Sequence, residues 1–197
     1  MEPDKHQRIV EAAAGCFVRL GFKATSIDEI AKTANVAKGT VYLACKSKAD
    51  LFYQAVHADL QAWAAQISRY VDPRRPAGEI LTQMAMAGIK YLAKHPLVRD
   101  LFAGVHAGAL PEWADRFDEL RIMGRAIVAQ VLSLGVRQGE FHADLDIPLT
   151  AAVLQDIQHA GYIIHGQRWT RDPTDATARM EAQVDLVLNG LRTRPQK

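Results

Sequence analysis

The chain has 197 residues, of which 24 are Lys or Arg and 22 are Asp or Glu, so its formal net charge is +2. Its content of 49% hydrophobic and 23% charged residues is that of a globular protein, which excludes the disordered and fibrous classes. No apolar run approaches the roughly 18 residues that a membrane-spanning helix needs, and the charged N-terminus differs from a signal peptide, so we expect a cytoplasmic protein with no membrane partner.

The small positive excess is unevenly distributed along the chain. Residues 1–50 hold eight basic and six acidic side chains, whereas residues 51–197 hold 16 of each. Such an asymmetry points to a nucleic-acid or membrane-surface role for the charged part. A role of this kind would therefore belong to the first quarter of the chain.

Four helical segments are predicted in the first 71 residues. The first carries an apolar stripe and is ended by Gly21, a residue typical of helix C-termini. Ser26 and Glu29 have the spacing of a capping box and open a short helix over about 27–34, which a second short helix follows at about 38–44. Ser47 and Asp50 repeat this signature before a long helix. The stripe of the first helix consists of Ile9, Ala13, Phe17 and Leu20.

Prolines divide the rest of the chain, because they lie between segments with helical periodicity and not within them. No stretch shows the strict alternation of a strand. The pattern predicts an all-α protein of about nine helices, with three short N-terminal helices and about six longer ones. The later segments run at about 76–94, 96–107, 111–138, 147–166 and 174–192.

The two short helices have the spacing of a helix-turn-helix. Ala31 is small enough for a close crossing, and Asn35 tolerates the positive φ that the turn requires. Ile30, Val36 and Val41 supply apolar side chains for the core beneath them. In DNA-binding proteins of this type the second helix enters the major groove. An ordinary αα-hairpin is the alternative.

Residues 9–53 resemble the DNA-binding domain of the tetracycline-repressor (TetR) family of bacterial transcriptional regulators. A later segment, Arg137 to Phe141 followed by Asp144 to Asp146, is similar to the one before the last two helices of that family. Two positions depart from the family pattern, since Ala44 stands where Tyr or His is frequent and Cys45 where a core Phe is usual. The resemblance is carried by Ile9 to Ala13, Phe17, Gly21, Phe22, Thr25 to Ile27, Ile30, Ala31, Val36, Lys38 to Tyr42 and Lys46 to Phe52.

The resemblance implies that the second short helix is a recognition helix for double-stranded operator DNA. Gly39 would let the backbone approach the duplex. Thr40 would offer a hydroxyl to a base or phosphate and a methyl group to thymine, and Tyr42 would contact a phosphate or the methyl group of thymine. The departure at Ala44 implies one fewer contact with the DNA backbone and a shift of part of the sequence reading onto Leu43 and Tyr42. A solvated surface charge is the alternative for each lysine. The expected DNA-contacting residues are Thr25, Ser26, Lys38, Gly39, Thr40, Tyr42, Leu43, Lys46 and Lys48.

Two domains are expected, a DNA-binding domain at residues 1–50 and a ligand-binding and dimerisation domain at residues 51–197. The resemblance implies that the second domain binds a largely apolar small effector among its central helices. Simple core packing is the alternative for each aromatic residue there. The residues expected to line the effector site are Trp63, Phe102, His106, Trp113, Phe117, Gln155 and His159.

The last two helices carry apolar stripes and are expected to form a homodimer through a four-helix interface around a two-fold axis. The small pair Ala160 and Gly161 would permit close approach of helices. A two-fold dimer reads a pseudo-palindromic operator. The expected interface residues are Leu149, Val153, Ile157, Gly161, Met180, Val184, Val187, Leu188 and Leu191.

No catalytic constellation or cofactor motif is recognisable, so we expect no enzyme activity, no cofactor and no metal. His142, Asp144 and Asp146 are spaced like metal ligands, but they lie in the segment that matches the family. Cys16 and Cys45 leave a redox pair and two inert buried thiols open as alternatives. We predict a ligand-responsive transcriptional regulator, with repression favoured. The alternatives are an activator of the same fold and a helical protein-interaction adaptor.

Overall fold

The computed structural model describes residues 3–102, 114–169 and 172–192. Over these ranges the chain forms nine helices and one isolated antiparallel bridge between Phe141 and Arg192, which confirms the all-α prediction. The helix starts predicted from capping residues and prolines agree closely with the observed ones. The helices are α1 (Pro3–Ala24), α2 (Ile27–Ala34), α3 (Lys38–Ala44), α4 (Lys48–Ser68), α5 (Ala77–Lys94), α6 (Pro96–Phe102), α7 (Ala114–Arg137), α8 (Ile147–Trp169) and α9 (Pro173–Leu191).

The chain divides into two compact units. The first consists of Met1–Ala62 with His95–Ala114, and the second of Trp63–Lys94 with Asp115–Lys197. Residues 1–50 all belong to the first unit, while residues 51–197 contribute to both. None of the described helices is long and apolar enough to cross a membrane.

The first unit is built around α1, against which α2, α3 and α6 pack. Ile9, Ile30 and Val41 are fully buried, as the apolar pattern predicted for the helix-turn-helix core. The α1 helix is interrupted at Gly21, whose φ of 78° confirms that the regular helix ends there. Beyond it, Phe22 contacts Phe52 of α4 with ring centroids 5.3 Å apart, so an aromatic cluster connects α1 to α4.

The second unit has its own core, formed mainly by α5, the second half of α7, α8 and α9. Phe141, in the turn between α7 and α8, is buried beside Gly135, and an added Cβ at Gly135 would overlap its ring. Trp63 stacks on Tyr91 with ring centroids 5.9 Å apart. The glycine at 135 is therefore a packing requirement, because any side chain there competes with Phe141 for the same space.

The turn between α7 and α8 also caps the N-terminus of α5. The side-chain amide oxygen of Gln138 accepts from the Ala77 backbone N–H at 3.0 Å, and the Glu140 carboxylate accepts from the Gly78 N–H at 3.1 Å. The amide of Gln138 donates to the Arg75 carbonyl at 2.8 Å. Two of the backbone donors that a helix start leaves unsatisfied are thus paired by residues more than 60 positions away. The segment with the second family resemblance therefore has a structural role.

The apolar stripe predicted on α9 lies largely inside the protomer. Met180, Leu188 and Leu191 are buried, and Val184 and Val187 pack against the core of the second unit. Gly161 of α8 lies against Met180 and Gln183 of α9. The buried members of the expected interface set therefore pack within one protomer, where α9 contacts both α5 and α8. The interface with a second chain stays a prediction.

Other apolar side chains of the two last helices remain exposed. Leu149 is 61% exposed, Val153 is also exposed, and Ile157 is half-buried one further turn along α8. Leu186 of α9, which the periodicity did not single out, is 74% exposed. These residues are the ones that a partner chain can reach.

Candidate DNA-recognition site

The start and end of α2 determine how the helix-turn-helix is folded. The Ser26 hydroxyl oxygen accepts from the Glu29 backbone N–H at 3.1 Å, as the capping motif predicted. The Glu29 carboxylate accepts from Arg19 of α1 at 2.9 Å. Asn35 ends α2 with φ 54° and ψ 52°, the left-handed conformation expected of it. The turn therefore directs the chain into α3 with the geometry of a helix-turn-helix.

The inner side of α3 is held firmly. Val41 is fully buried against a core that includes Ile30 and Ala31. At the other end of the helix, the Gln54 amide of α4 donates to the Ala44 carbonyl at 3.1 Å, and the Cys45 N–H bonds back to the Val41 carbonyl. A helix of only seven residues is marginal by itself, so these tertiary contacts stabilise it.

The outer side of α3 presents side chains that the fold does not use. Tyr42 is 53% exposed and Leu43 is 79% exposed. Gly39 is exposed, and a Cβ built on it meets nothing within 4 Å, so the fold would tolerate a side chain at this position. Thr40 is half-buried on the same short helix. This face combines exposed apolar side chains with an accessible backbone at Gly39, an arrangement that suits insertion into a deep groove.

The Lys38 ammonium is not independent of the protein. It donates to the Asp28 carboxylate of α2 at 2.9 Å, and both side chains are more than half exposed. The hydrogen bond to Asp28 and its negative charge raise the pKa of Lys38 above its ordinary value. Lys38 is thus held at the start of α3 by a residue of the preceding helix. The sequence did not indicate this contact, because a link between residues ten positions apart depends on the turn between the two helices.

The loop between α3 and α4 places Lys46 at the surface. The Ser47 hydroxyl oxygen accepts from the Asp50 N–H at 3.0 Å, and the Asp50 carboxylate accepts from the Lys46 N–H at 2.9 Å. The predicted capping pattern is therefore present, with the aspartate bonding one residue further back. This leaves the exposed Lys46 side chain beside the end of α3.

Thr25 was expected to offer its hydroxyl to a phosphate, and the structure corrects this. The residue is 2% exposed, and its hydroxyl donates to the Gly21 carbonyl at 2.8 Å. The Cys16 carbonyl lies 3.2 Å from the same oxygen. The hydroxyl is therefore bonded to carbonyls of α1 near its kink at Gly21, where the Thr25 backbone N–H also donates to the Gly21 carbonyl.

Lys48 likewise has a structural role that its position in the sequence did not show. Its ammonium donates to the Thr25 carbonyl at 2.9 Å and to the Lys23 carbonyl at 3.2 Å. The same nitrogen lies 4.7 Å from the centroid of the Phe22 ring. Since an ammonium has three donors, at most one remains for a phosphate. The main contacts of Lys48 connect α4 to the end of α1.

The two cysteines are buried and free. The Cys16 sulfur lies 3.4 Å from the Thr33 hydroxyl, and the Cys45 sulfur donates to the Val41 carbonyl. Burial raises the pKa of Cys45, which disfavours the reactive thiolate. Among the described residues, no three His, Cys, Asp or Glu side chains are grouped to hold a metal ion.

The structure describes only part of the expected effector site. Gln155 is buried, and its side-chain oxygen accepts from Arg125 of α7 at 3.3 Å. The sequence analysis did not predict the contact of Arg125 with Gln155, because this contact depends on how α7 and α8 pack. His159 is half-buried on α8 and Trp63 is stacked on Tyr91. The side chains of Phe102, His106, Trp113 and Phe117 lie outside the described residues.

For the N-terminal part, comparison with known proteins points to the same family as the resemblance found in the sequence. The family model of the bacterial regulatory proteins of the tetR family matches residues 9–55. The match includes α2, α3 and the start of α4. It therefore includes α3, whose exposed face is described above, and the helices that hold it in place.

Individual relatives extend the likeness along the chain. It is 32% identical to an uncharacterized HTH-type transcriptional regulator, YhgD of Bacillus subtilis, over 52% of this chain and 53% of that protein, so it matches about half of that relative's length. It is 24% identical to the HTH-type transcriptional repressor KstR2 of Mycobacterium tuberculosis, over 93% of this chain and 90% of that one. The structure of the transcriptional regulator FadR of Bacillus subtilis, in complex with stearoyl-CoA, aligns with a TM-score of 0.79 at 20% identity, covering 94% of this chain and 99% of that one. This last likeness shows a shared fold.

Proposed function

We propose that the chain, whose residues 9–55 match the family model of the tetR bacterial regulatory proteins, is a ligand-responsive transcriptional repressor that binds a pseudo-palindromic operator as a homodimer. The first unit would bind DNA through α3. A small-molecule effector bound by the second unit would release the operator.

The observation that carries this proposal is the exposed face of α3. Tyr42 and Leu43 extend into solvent while Val41, on the opposite side, is fully buried. An exposed tyrosine and leucine on a firmly anchored seven-residue helix serve no purpose in the fold, whereas a recognition helix needs this arrangement to reach base edges. The local charge agrees, since residues 23–48 contain five lysines against Asp28 and Glu29.

The relatives support repression and an apolar effector. KstR2 is named a repressor, and FadR is seen with stearoyl-CoA, a ligand that combines a long apolar chain with anionic groups. In this chain, Gln155 and Arg125 place a polar pair beside the apolar core of the second unit. An effector lowers operator affinity only by binding more tightly to the conformation that does not fit DNA. Stearoyl-CoA is therefore the first effector to test.

DNA binding is tested by fluorescence anisotropy with duplexes from the region upstream of the protein's own gene. The full chain should bind one of them selectively, with an affinity that falls linearly as the logarithm of salt concentration rises. Tyr42→Ala should weaken binding about tenfold, a loss equivalent to about 1.4 kcal/mol. Val18→Ala, which truncates an exposed residue of α1, is the matched control. Equal affinity for the upstream duplex and a scrambled one would reject the proposal.

The effector is tested separately from DNA binding. A thermal-shift screen of acyl-CoA thioesters and other apolar anions should identify compounds that raise the unfolding temperature, since a ligand that binds only the folded state stabilises it. The same compounds should then release the labelled operator. A compound that stabilises the protein without changing operator affinity would count against effector-controlled release.

The two alternatives predict different results. A helical adaptor would bind no duplex selectively, whatever the salt concentration. An activator would bind the same operator, but deletion of its gene would lower expression of the neighbouring gene in a reporter assay, whereas a repressor's deletion raises it.

A further inference from the structure

The residue types on α3 restrict how the helix can distinguish one base pair from another. Specific hydrogen bonding to base edges in the major groove is the work of Arg or Lys with guanine, Asn or Gln with adenine, and Glu or Asp with cytosine. From Lys38 to Ala44 the sequence contains none of these residues except Lys38 itself, while the hydroxyl of Thr40 can form a single hydrogen bond to a base. That one exception donates its ammonium to Asp28 at 2.9 Å. The side chains of this helix can therefore form few paired hydrogen bonds to bases.

What α3 does present is an apolar group with open space around it. Leu43 is 79% exposed, the highest value for a large hydrophobic side chain in the part of the chain that the structure describes. Gly39 lies one helical turn before Leu43 and so on the same face. An added Cβ on Gly39 would meet no other side chain or neighbouring helix of the described residues within 4 Å, so the space beside Leu43 on this face is open.

An apolar side chain in the major groove has one partner that carries sequence information. The 5-methyl group of thymine is the apolar feature on the major-groove edge of the base pairs, and it distinguishes thymine from the other bases. We propose that each operator half-site contains a thymine whose 5-methyl group packs against Leu43, and that this contact supplies base discrimination by α3. This inference rests on the proposed DNA-binding function and specifies how the operator is read.

The helix is held in a way that suits a contact of this kind. A methyl–leucine contact is short-ranged, so the helix must be placed accurately. Val41 is fully buried, the Gln54 amide holds the Ala44 carbonyl, and the Asp28 carboxylate holds Lys38. Both ends and the middle of α3 are therefore connected to the neighbouring helices.

The test removes the methyl group alone. The full chain first selects its operator from random-sequence duplexes, and each conserved thymine is then replaced by deoxyuridine, which differs only in lacking the 5-methyl group. At one position in each half-site, this replacement should weaken binding about fourfold, the factor expected for one buried methyl group. Leu43→Ala should weaken binding to the thymine operator and abolish the difference between thymine and deoxyuridine at that position.

The control variant is Val18→Ala, which shortens another exposed aliphatic side chain of the first unit and should retain the full deoxyuridine effect. Selective binding with every deoxyuridine duplex bound as tightly as its thymine counterpart would overturn the methyl contact and leave the proposed function intact. The same holds if Leu43→Ala keeps the deoxyuridine effect, because another residue then contacts the methyl group. Failure to select any sequence would instead overturn the proposed function, and this inference with it.

Discussion

At the scale of single residues, Gly39 separates the requirements of the fold from those of DNA binding. The protein has room for a Cβ at this position, and the backbone there is not in a left-handed conformation. At an exposed position within a helix, alanine makes the folded state more stable than glycine does, by up to about 1 kcal/mol. A glycine that the fold does not need is explained by close approach of the backbone to the duplex.

We therefore expect Gly39→Ala to keep or slightly raise the unfolding temperature while weakening operator binding at least tenfold, equivalent to about 1.4 kcal/mol. Differential scanning fluorimetry and anisotropy measure the two quantities. Gly15→Ala is the matched control, because Gly15 is also exposed with open space around it but lies in the middle of α1. It should gain the same stability without losing affinity. Unchanged affinity in Gly39→Ala would show that the backbone does not approach the DNA there.

Asp72, in the connection between α4 and α5, provides a prediction about pH. Side-chain hydrogen bonds from Arg74, at 2.9 Å from both its Nε and a terminal nitrogen, lower the pKa of Asp72 to about 2, with a smaller contribution from the Arg74 backbone N–H. A depressed pKa means that the charged carboxylate favours the folded state. This stabilisation is present above the ordinary pKa of 3.8 and is lost as the pH falls towards 2.

Carboxyl carbon chemical shifts should show Asp72 titrating near 2 in the native chain and at a higher pH in Arg74→Gln, still below 3.8 because the backbone N–H of residue 74 and the charge of Arg75 remain. Arg69→Gln removes another exposed arginine from the same region and should leave the titration of Asp72 unchanged. A native titration midpoint near 3.8 would show that the Arg74 contact does not persist in solution.

At the scale of helices and turns, the boundaries followed local rules that sequence alone can express. Ser26, Asn35 and Pro96, the first residue of α6, are where a helix start or end was expected, since capping and proline effects involve residues a few positions apart. The role of the segment from Arg137 to Phe141 could not be predicted in this way. Its side chains cap α5, more than 60 residues earlier, and such a contact exists only in the folded chain.

Gly135 gives a test of this turn. Alanine at this position would place its Cβ within the Phe141 ring, so we expect Gly135→Ala to lower the free energy of unfolding by about 1–3 kcal/mol, measured by urea denaturation. Gly190→Ala is the control, because Gly190 of α9 is exposed with nothing within 4 Å of an added Cβ. That change should be neutral or stabilising. Equal stabilities of the two variants would mean that the ring moves aside at no cost.

At the scale of the whole molecule, the proposed dimer depends on which apolar residues of α8 and α9 remain exposed. The helical periodicity identified both apolar stripes but not the direction each one faces. Met180, Leu188 and Leu191 pack inside the protomer, whereas Leu149, Val153 and Leu186 extend from it. A charged residue in the exposed set would be buried without a partner in a dimer, at a cost of several kcal/mol.

Val153→Asp and Leu186→Asp should each convert the dimer to monomers in light scattering at micromolar concentration, and operator affinity should fall with dimer content. Ile122→Asp, at an exposed aliphatic position of α7, should remain dimeric. A monomeric native chain would reject the proposed dimer, whereas dimers in both the α8 and the α9 variant would place the interface elsewhere.

The sequence by itself determined the helices, their caps, the helix-turn-helix and the family resemblance, because these depend on residue types at short and regular spacings. It also identified Tyr42, Leu43 and Gly39 as the exposed face of α3. Only the tertiary structure decided which polar groups are already engaged: the Thr25 hydroxyl within α1, the Lys48 ammonium on carbonyls 23 and 25 residues away, and Lys38 on Asp28. The physical reason is that a side chain's partners depend on how helices rotate and cross, which no local spacing specifies.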